Sequence, residues 1–125
     1  MNTLNKIVVS AELFTGLADR SATLVIGSFD PLLAQHSERL GQIARLFRTS
    51  LVVAVIDPIE RQVLSRTARL EMVAALGMVD FVLPFEPGLQ EAFPWAAVHD
   101  ELALHDQWSA EFQSHVRRRS QAAFA

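Results

Sequence analysis

Three short apolar runs punctuate the first two thirds of the chain, with amphipathic stretches between them. Thr23 to Ile26, Leu51 to Ile56 and Val79 to Leu83 are rich in Val, Ile and Leu and show almost no polar alternation. That is the pattern of parallel strands covered on both faces. From His36 to Phe47, Leu40, Ile43, Leu46 and Phe47 recur at helical spacing, while Arg39, Gln42 and Arg45 take much of the other side. Ser65 to Leu76 repeats the arrangement with Leu70, Val73, Ala74 and Leu76, and Gly77 is placed to cap its C-terminus. Ahead of these, Ser10 to Arg20 predicts a short opening helix with Ser10 as N-cap, Glu12 in the first turn and Leu13, Phe14 and Leu17 on one face.

Strand, helix, strand, helix, strand in this order predicts an α/β protein whose parallel sheet is joined by right-handed crossovers. Only three core strands are visible. After Gly88 the pattern changes: Pro94 can start a helix, and Val98, Leu102, Trp108, Phe112 and Val116 continue an apolar side almost to the end. The expectation is a core over residues 1–90 and a helical extension over 91–125, one long helix or two broken near His105, packed on the core or on a partner.

Composition narrows the class. With 125 residues, half of them hydrophobic and a fifth charged, the chain fits one compact domain. A formal charge of −3 and a pI near 5.7 argue against an extended nucleic-acid surface. There is no cysteine, which excludes disulfides, thiolate nucleophiles and thiolate metal sites. No apolar run approaches the roughly 20 residues that span a bilayer, and no signal-peptide layout opens the chain, so a cytoplasmic location is expected. The run Arg117 to Arg119 reads as a solvated helix end. His99, His105 and His115, six and ten residues apart, lack the i, i+4 spacing of a helical metal pair, and no metal site is expected from them.

The candidate chemistry sits in Leu24 to His36, where a strand ends at Gly27, turns through Ser28, Phe29, Asp30 and Pro31, and reaches His36 at a helix start. Strand, glycine turn and helix N-terminus together make a phosphate site: backbone can approach the ligand, and free helix N–H groups favour negative charge. His36 has two readings, a phosphate contact or a helix-capping side chain. Asp30 reads first as a turn cap bonding backbone amides, and second as a catalytic group. Asp57 stands where ligands bind in open α/β sheets, but Asp57-Pro58 is also a turn opener, and the turn is preferred. Arg66 and Arg69 are either solvated helix charge or phosphate contacts.

Gly27-Ser28-Phe29-Asp30 followed by His36 resembles the cytidylyltransferase-like nucleotidyltransferases, whose signature is G-x-F-D-x-x-H-x-G-H. The likeness extends through Lys6 to Leu13, Leu51 to Val55, Arg69 to Leu76 and Val79 to Val82, and in appearance is greatest to the heptose-phosphate adenylyltransferase domain. The resemblance implies a Rossmann-like three-layer fold with a small parallel sheet and a helical C-terminal tail. It also implies transfer of a nucleotidyl group from a nucleoside triphosphate, accompanied by Mg2+, to a sugar phosphate with release of pyrophosphate. By position it makes His36 and Arg69 catalytic and places Gly27, Ser28, Phe29 and Asp30 at the nucleotide- or phosphate-binding turn; Arg66 is a further phosphate-binding candidate, as a substitute for cationic groups of the family that this chain lacks.

The departures are equally specific. Leu33 stands where the signature has its first histidine and Gln35 where it has glycine; Lys6 is the only lysine, and no Ser-Thr pair stands in the tail. The alternative is therefore a catalytically inactive relative with an assembly or regulatory role, its tail forming a homodimer contact.

Overall fold

The computed structural model describes residues 3–58 and 62–124. The opening helix α1 (Ser10–Gly16) leads into β1 (Ala22–Gly27), α2 (Ala34–Phe47), β2 (Ser50–Val55), α3 (Arg66–Ala74), β3 (Phe81–Pro84), β4 (Ala97–Asp100) and α4 (Leu102–Phe124). Among the described residues the strands form one all-parallel sheet in the order β3-β2-β1-β4. This is a Rossmann-like, three-layer α/β fold.

Alternation along the central strands divides the core in two. Val25, Leu51, Val53 and Val55 point to the face covered by α2 and α3, where Leu40, Ile43, Leu70 and Val73 pack. Leu24, Ile26, Val52 and Ala54 point the other way, against Leu13 of α1 and Leu17 at its C-cap, with Leu89, Phe93 and Trp95 from the 85–95 loop. All eight strand residues are at most 1% exposed, so each strand is apolar on both faces and shows no alternation in its sequence.

Several boundaries and caps differ from expectation. Ser10 is the first residue of α1, with Val9 as N-cap, and the Ser10 hydroxyl bonds Glu86 instead. The helix ends at Gly16, not Arg20. α2 begins two residues before His36, and Leu46, expected on its apolar face, is 75% exposed. α3 closes at Ala75 in ordinary helical geometry, so Gly77 is not its cap. Lys6 supplies the end interaction, donating from Nζ to Leu76 O at 3.0 Å.

The largest correction lies in the tail. Residues 97–100, read as part of a helical stripe, form β4 and pair with β1 from Thr23↔Ala97 to Ile26↔Asp100. The sheet therefore has four strands, and it continues beyond residue 90. Val98, 43% exposed, belongs to this edge strand and not to a helix. Once the turn at 101 is passed, α4 is continuous, with no break at His105.

This topology fixes the site. β1, β2 and β3 step outward in one direction, whereas β4 lies on the opposite side of β1. Strand order thus reverses between β1 and β4, opening a crevice beyond Gly27 and Asp100 where open α/β sheets bind ligands.

Candidate functional site

The chain leaves β1 through Gly27, Ser28 and Phe29. Phe29 takes a left-handed backbone (φ 50°) while fully buried, a conformation that costs a non-glycine residue about 1–3 kcal/mol and persists only when packing holds it. Its ring is held at 5.4 Å from that of His36 and 4.5 Å from that of His105. Asp30, 1% exposed, receives Leu64 N–H on Oδ1 and Val63 N–H on Oδ2, both at 2.6 Å. The turn-cap reading of Asp30 describes these contacts: the carboxylate braces a distant loop.

His36 is the third residue of α2. Its Nδ1 accepts the Leu33 N–H at 2.9 Å, doing for the helix start what a capping side chain does from the other end of the box. Nε2 is buried with no partner among the described residues, as is Ser28 Oγ. Burial pushes the His36 pKa down to about 4, so the ring is neutral at pH 7.

Arg69 is fully buried and forms four hydrogen bonds to backbone and carboxylate. Nη1 donates to Ser28 O and Ile56 O at 3.0 Å, Nε to Leu64 O at 3.2 Å and Nη2 to Asp57 Oδ1 at 2.8 Å. One planar fork thereby ties the segments after β1 and β2 to the approach to α3. Arg66, half exposed, bonds Asp57 Oδ2 at 2.6 Å. Asp57 is accordingly more than a turn opener: its carboxylate joins both arginines, and hydrogen bonds from Arg66 and then Arg69 lower its pKa. The same pairing raises that of Arg66.

The crevice itself is occupied by α4. The His105 ring sits against Gly27 so closely that a Cβ there would lie far inside van der Waals contact. Its centroid is 4.4 Å from that of His36, and the Trp108 ring is 5.0 Å from His36. His105 Nδ1 receives the Phe29 N–H at 3.5 Å, and Ser109 Oγ donates to Asp30 O at 2.6 Å. Arg39 of α2 bonds Glu101, just before α4, at 2.7 Å. Burial, and then the neighbouring His36, push His105 down to about 3.

The structure thus brings Gly27, Phe29, Asp30 and His36 together around one crevice, while Arg69 lies behind it on the carbonyl of Ser28 and Arg66 is turned to Asp57. Sequence reasoning missed His105, Trp108 and Ser109 as site residues. Trp108 lies on the tail's apolar stripe, but a stripe does not say which surface it covers. The three tail histidines are separated: His99 packs on Phe47, His105 fills the crevice and His115 is exposed. Among the described residues no group of three His, Asp or Glu side chains is placed to hold a metal ion, and no helix is long and apolar enough to cross a membrane. No protein-family model matches the chain, and no curated protein matches it either.

Two outcomes follow from this geometry. Arg69→Met removes the donor of the Ser28 and Ile56 carbonyls and the partner of Asp57 and should cost about 3 kcal/mol or more in denaturant unfolding, and Arg69→Lys should not restore it, because one ammonium cannot reproduce the fork. For the histidines, pKa values of about 4 and 3 in the folded chain lie below the ordinary 6.5, so the unfolded chain binds more protons in between. Stability is full above pH 6.5 and falls as pH drops toward 4, by about 1.4 kcal/mol per histidine per pH unit. Unfolding measured at a series of pH values should show this slope, and His105→Phe should roughly halve it.

Proposed function

We propose that this chain is a nucleotidyltransferase-like domain that keeps the fold of that superfamily without its catalysis and serves an assembly or regulatory role. One observation carries the reading: the crevice where a nucleotide's phosphates would lie holds the His105 ring. The remaining groups point the same way. His36 and His105 are neutral at pH 7, Arg69 is occupied by backbone carbonyls and Asp57, and Asp30 by two loop amides. Leu33 and Gln35 replace the histidine and glycine of the signature. Each lost donor to a charge-developing phosphate removes about 3 kcal/mol of transition-state stabilisation, or two decades of rate.

A second reading, nucleotide-phosphate binding with nucleotidyl transfer to a sugar phosphate, is favoured by the unpartnered Ser28 Oγ and His36 Nε2. Buried polar atoms without partners cost about 1–3 kcal/mol each, and a phosphate oxygen could accept from both. The residues present do not fit a protein-bound Mg2+: Asp30 and Asp57 already have their partners, and among the described residues no group of three His, Asp or Glu side chains is placed to hold the ion.

The assembly role has its support in the second half of α4. Phe112 and Val116, 39% and 45% exposed, flank a groove with Val63, itself 48% exposed, and Gln62, Gln113 and Arg117 complete its lining. The helix carries the exposed Glu111 ahead of Arg117 to Arg119, so two copies crossing antiparallel set opposite charges against each other. The partner we propose is a second copy of this chain.

Pyrophosphate release from ATP or CTP with Mg2+, assayed across sugar phosphates, should not exceed the protein-free blank; turnover that His36→Ala abolishes would overturn the non-catalytic reading. Sedimentation at rising concentration should reveal a dimer that Phe112→Glu with Val116→Glu dissociates. A wild-type chain that stays monomeric rejects the assembly.

A further inference from the structure

Helix α4 meets the body of the protein unevenly. Its first two turns are embedded, with His105 and Ser109 2% and 8% exposed, whereas residues 115–120 are exposed. What the embedded part covers is unusual. Beneath His105 lie a glycine whose missing side chain makes room for the ring, the start of the 14-residue helix α2, and His36, whose Nδ1 is taken by Leu33 N–H and whose Nε2 is buried without a partner. Ser28, next to Gly27, has a second buried polar atom without a partner among the described residues, its Oγ. The imidazole of His105 supplies an acceptor to Phe29 N–H at a long 3.5 Å, so this donor too is only weakly engaged. A neutral aromatic plug therefore sits on donors that it does not satisfy.

Polar side-chain contacts tie the plug to the body of the protein. Ser109 Oγ bonds Asp30 O, and Arg39 bonds Glu101 through a pair in which the arginine is 39% exposed. Such a partly solvated pair is worth at most about 1 kcal/mol. Ring packing of His105 and Trp108 on Phe29 and His36 adds to this hold.

We propose that the first turns of α4 are a resident occupant of the crevice, and that the phosphates of a nucleoside triphosphate bind there only when α4 lifts: helix docking and anion binding are mutually exclusive. Lifting the helix frees Phe29 N–H, exposes Nε2 of His36 and Ser28 Oγ, and vacates the space at Gly27 that the imidazole fills. The apparent affinity of the intact chain is then reduced by the fraction of molecules with α4 lifted. The inference rests on the nucleotidyltransferase-like reading for the place of the ligand and is independent of whether turnover occurs.

The test uses the full chain and two probes, MgATP and inorganic pyrophosphate, by isothermal titration and by hydrogen exchange of residues 102–109. Saturating MgATP should raise exchange of these amides in the wild type at least tenfold, with a change in Trp108 fluorescence, and pyrophosphate should compete. His105→Ala, which removes the plug, should bind MgATP at least tenfold more tightly. Gly27→Ala serves as the counter-variant: its methyl group displaces His105 and also fills the phosphate space, so exchange in α4 should rise without any gain in affinity.

MgATP bound by the wild type with α4 exchange unchanged would overturn the proposal, as would a folded His105→Ala that binds no better than the wild type. Gly27→Ala binding as tightly as His105→Ala would do so too. If His105→Ala does not fold cooperatively, the wild-type exchange measurement decides alone. Pyrophosphate release by His105→Ala would overturn the non-catalytic reading and leave the displacement standing, whereas no binding by any form would overturn the displacement and leave that reading intact.

Discussion

The rim of this protein depends on one buried guanidinium. Sheet pairing brings the ends of β1 and β2 side by side, but it leaves the carbonyls of Ser28 and Ile56 beyond the ladder, facing the interior. Arg69 answers both with one nitrogen, reaches Leu64 with a second and closes on the Asp57 carboxylate with a third. A buried cation without such partners would cost several kcal/mol, and carbonyls without a donor would cost more. The arginine and the loops are therefore mutually required. Asp30 completes the frame from the opposite side by holding Val63 and Leu64.

That frame sets the shape of the crevice, and α4 decides what the crevice contains. Because β4 returns next to β1, the chain leaves the sheet at Asp100 directly above Gly27, and the next helix must start there. Its first inward side chain is His105. Two imidazoles and an indole then pack ring against ring in a cluster in which neither histidine carries a second proton at neutral pH. An anion site and an aromatic plug make opposite electrostatic demands on the same few ångströms. Here the neutral state belongs to the docked helix.

Much of the sheet was legible because parallel strands buried on both faces leave a plain mark, and Leu51 to Val55 carries it strongly. β4 was not: four residues of an edge strand, Ala97 to Asp100, alternate between half-buried and exposed and follow a proline that also suits a helix start. Leu46 was misassigned because helical spacing counts it with Leu40 and Ile43 although α2 turns it outward. At the site, Gly27, Asp30 and His36 were found by local order alone, since a strand, a turn and a helix start are contiguous in the chain. Arg69 was found only through resemblance, and its partners are backbone atoms that no residue type announces.

The sequence by itself determined the α/β class, the buried strands and the glycine turn, and it set Leu33 and Gln35 between that turn and His36. These are properties of composition and short-range order. Only the tertiary structure decided that Asp57 pairs with two arginines, that Lys6 closes α3, and that His105, 69 residues after His36, stands over Gly27. The reason is physical: a hydrophobic stripe records that a helix must be covered, but the surface it covers is chosen by the sheet order, which depends on pairings between residues distant in sequence.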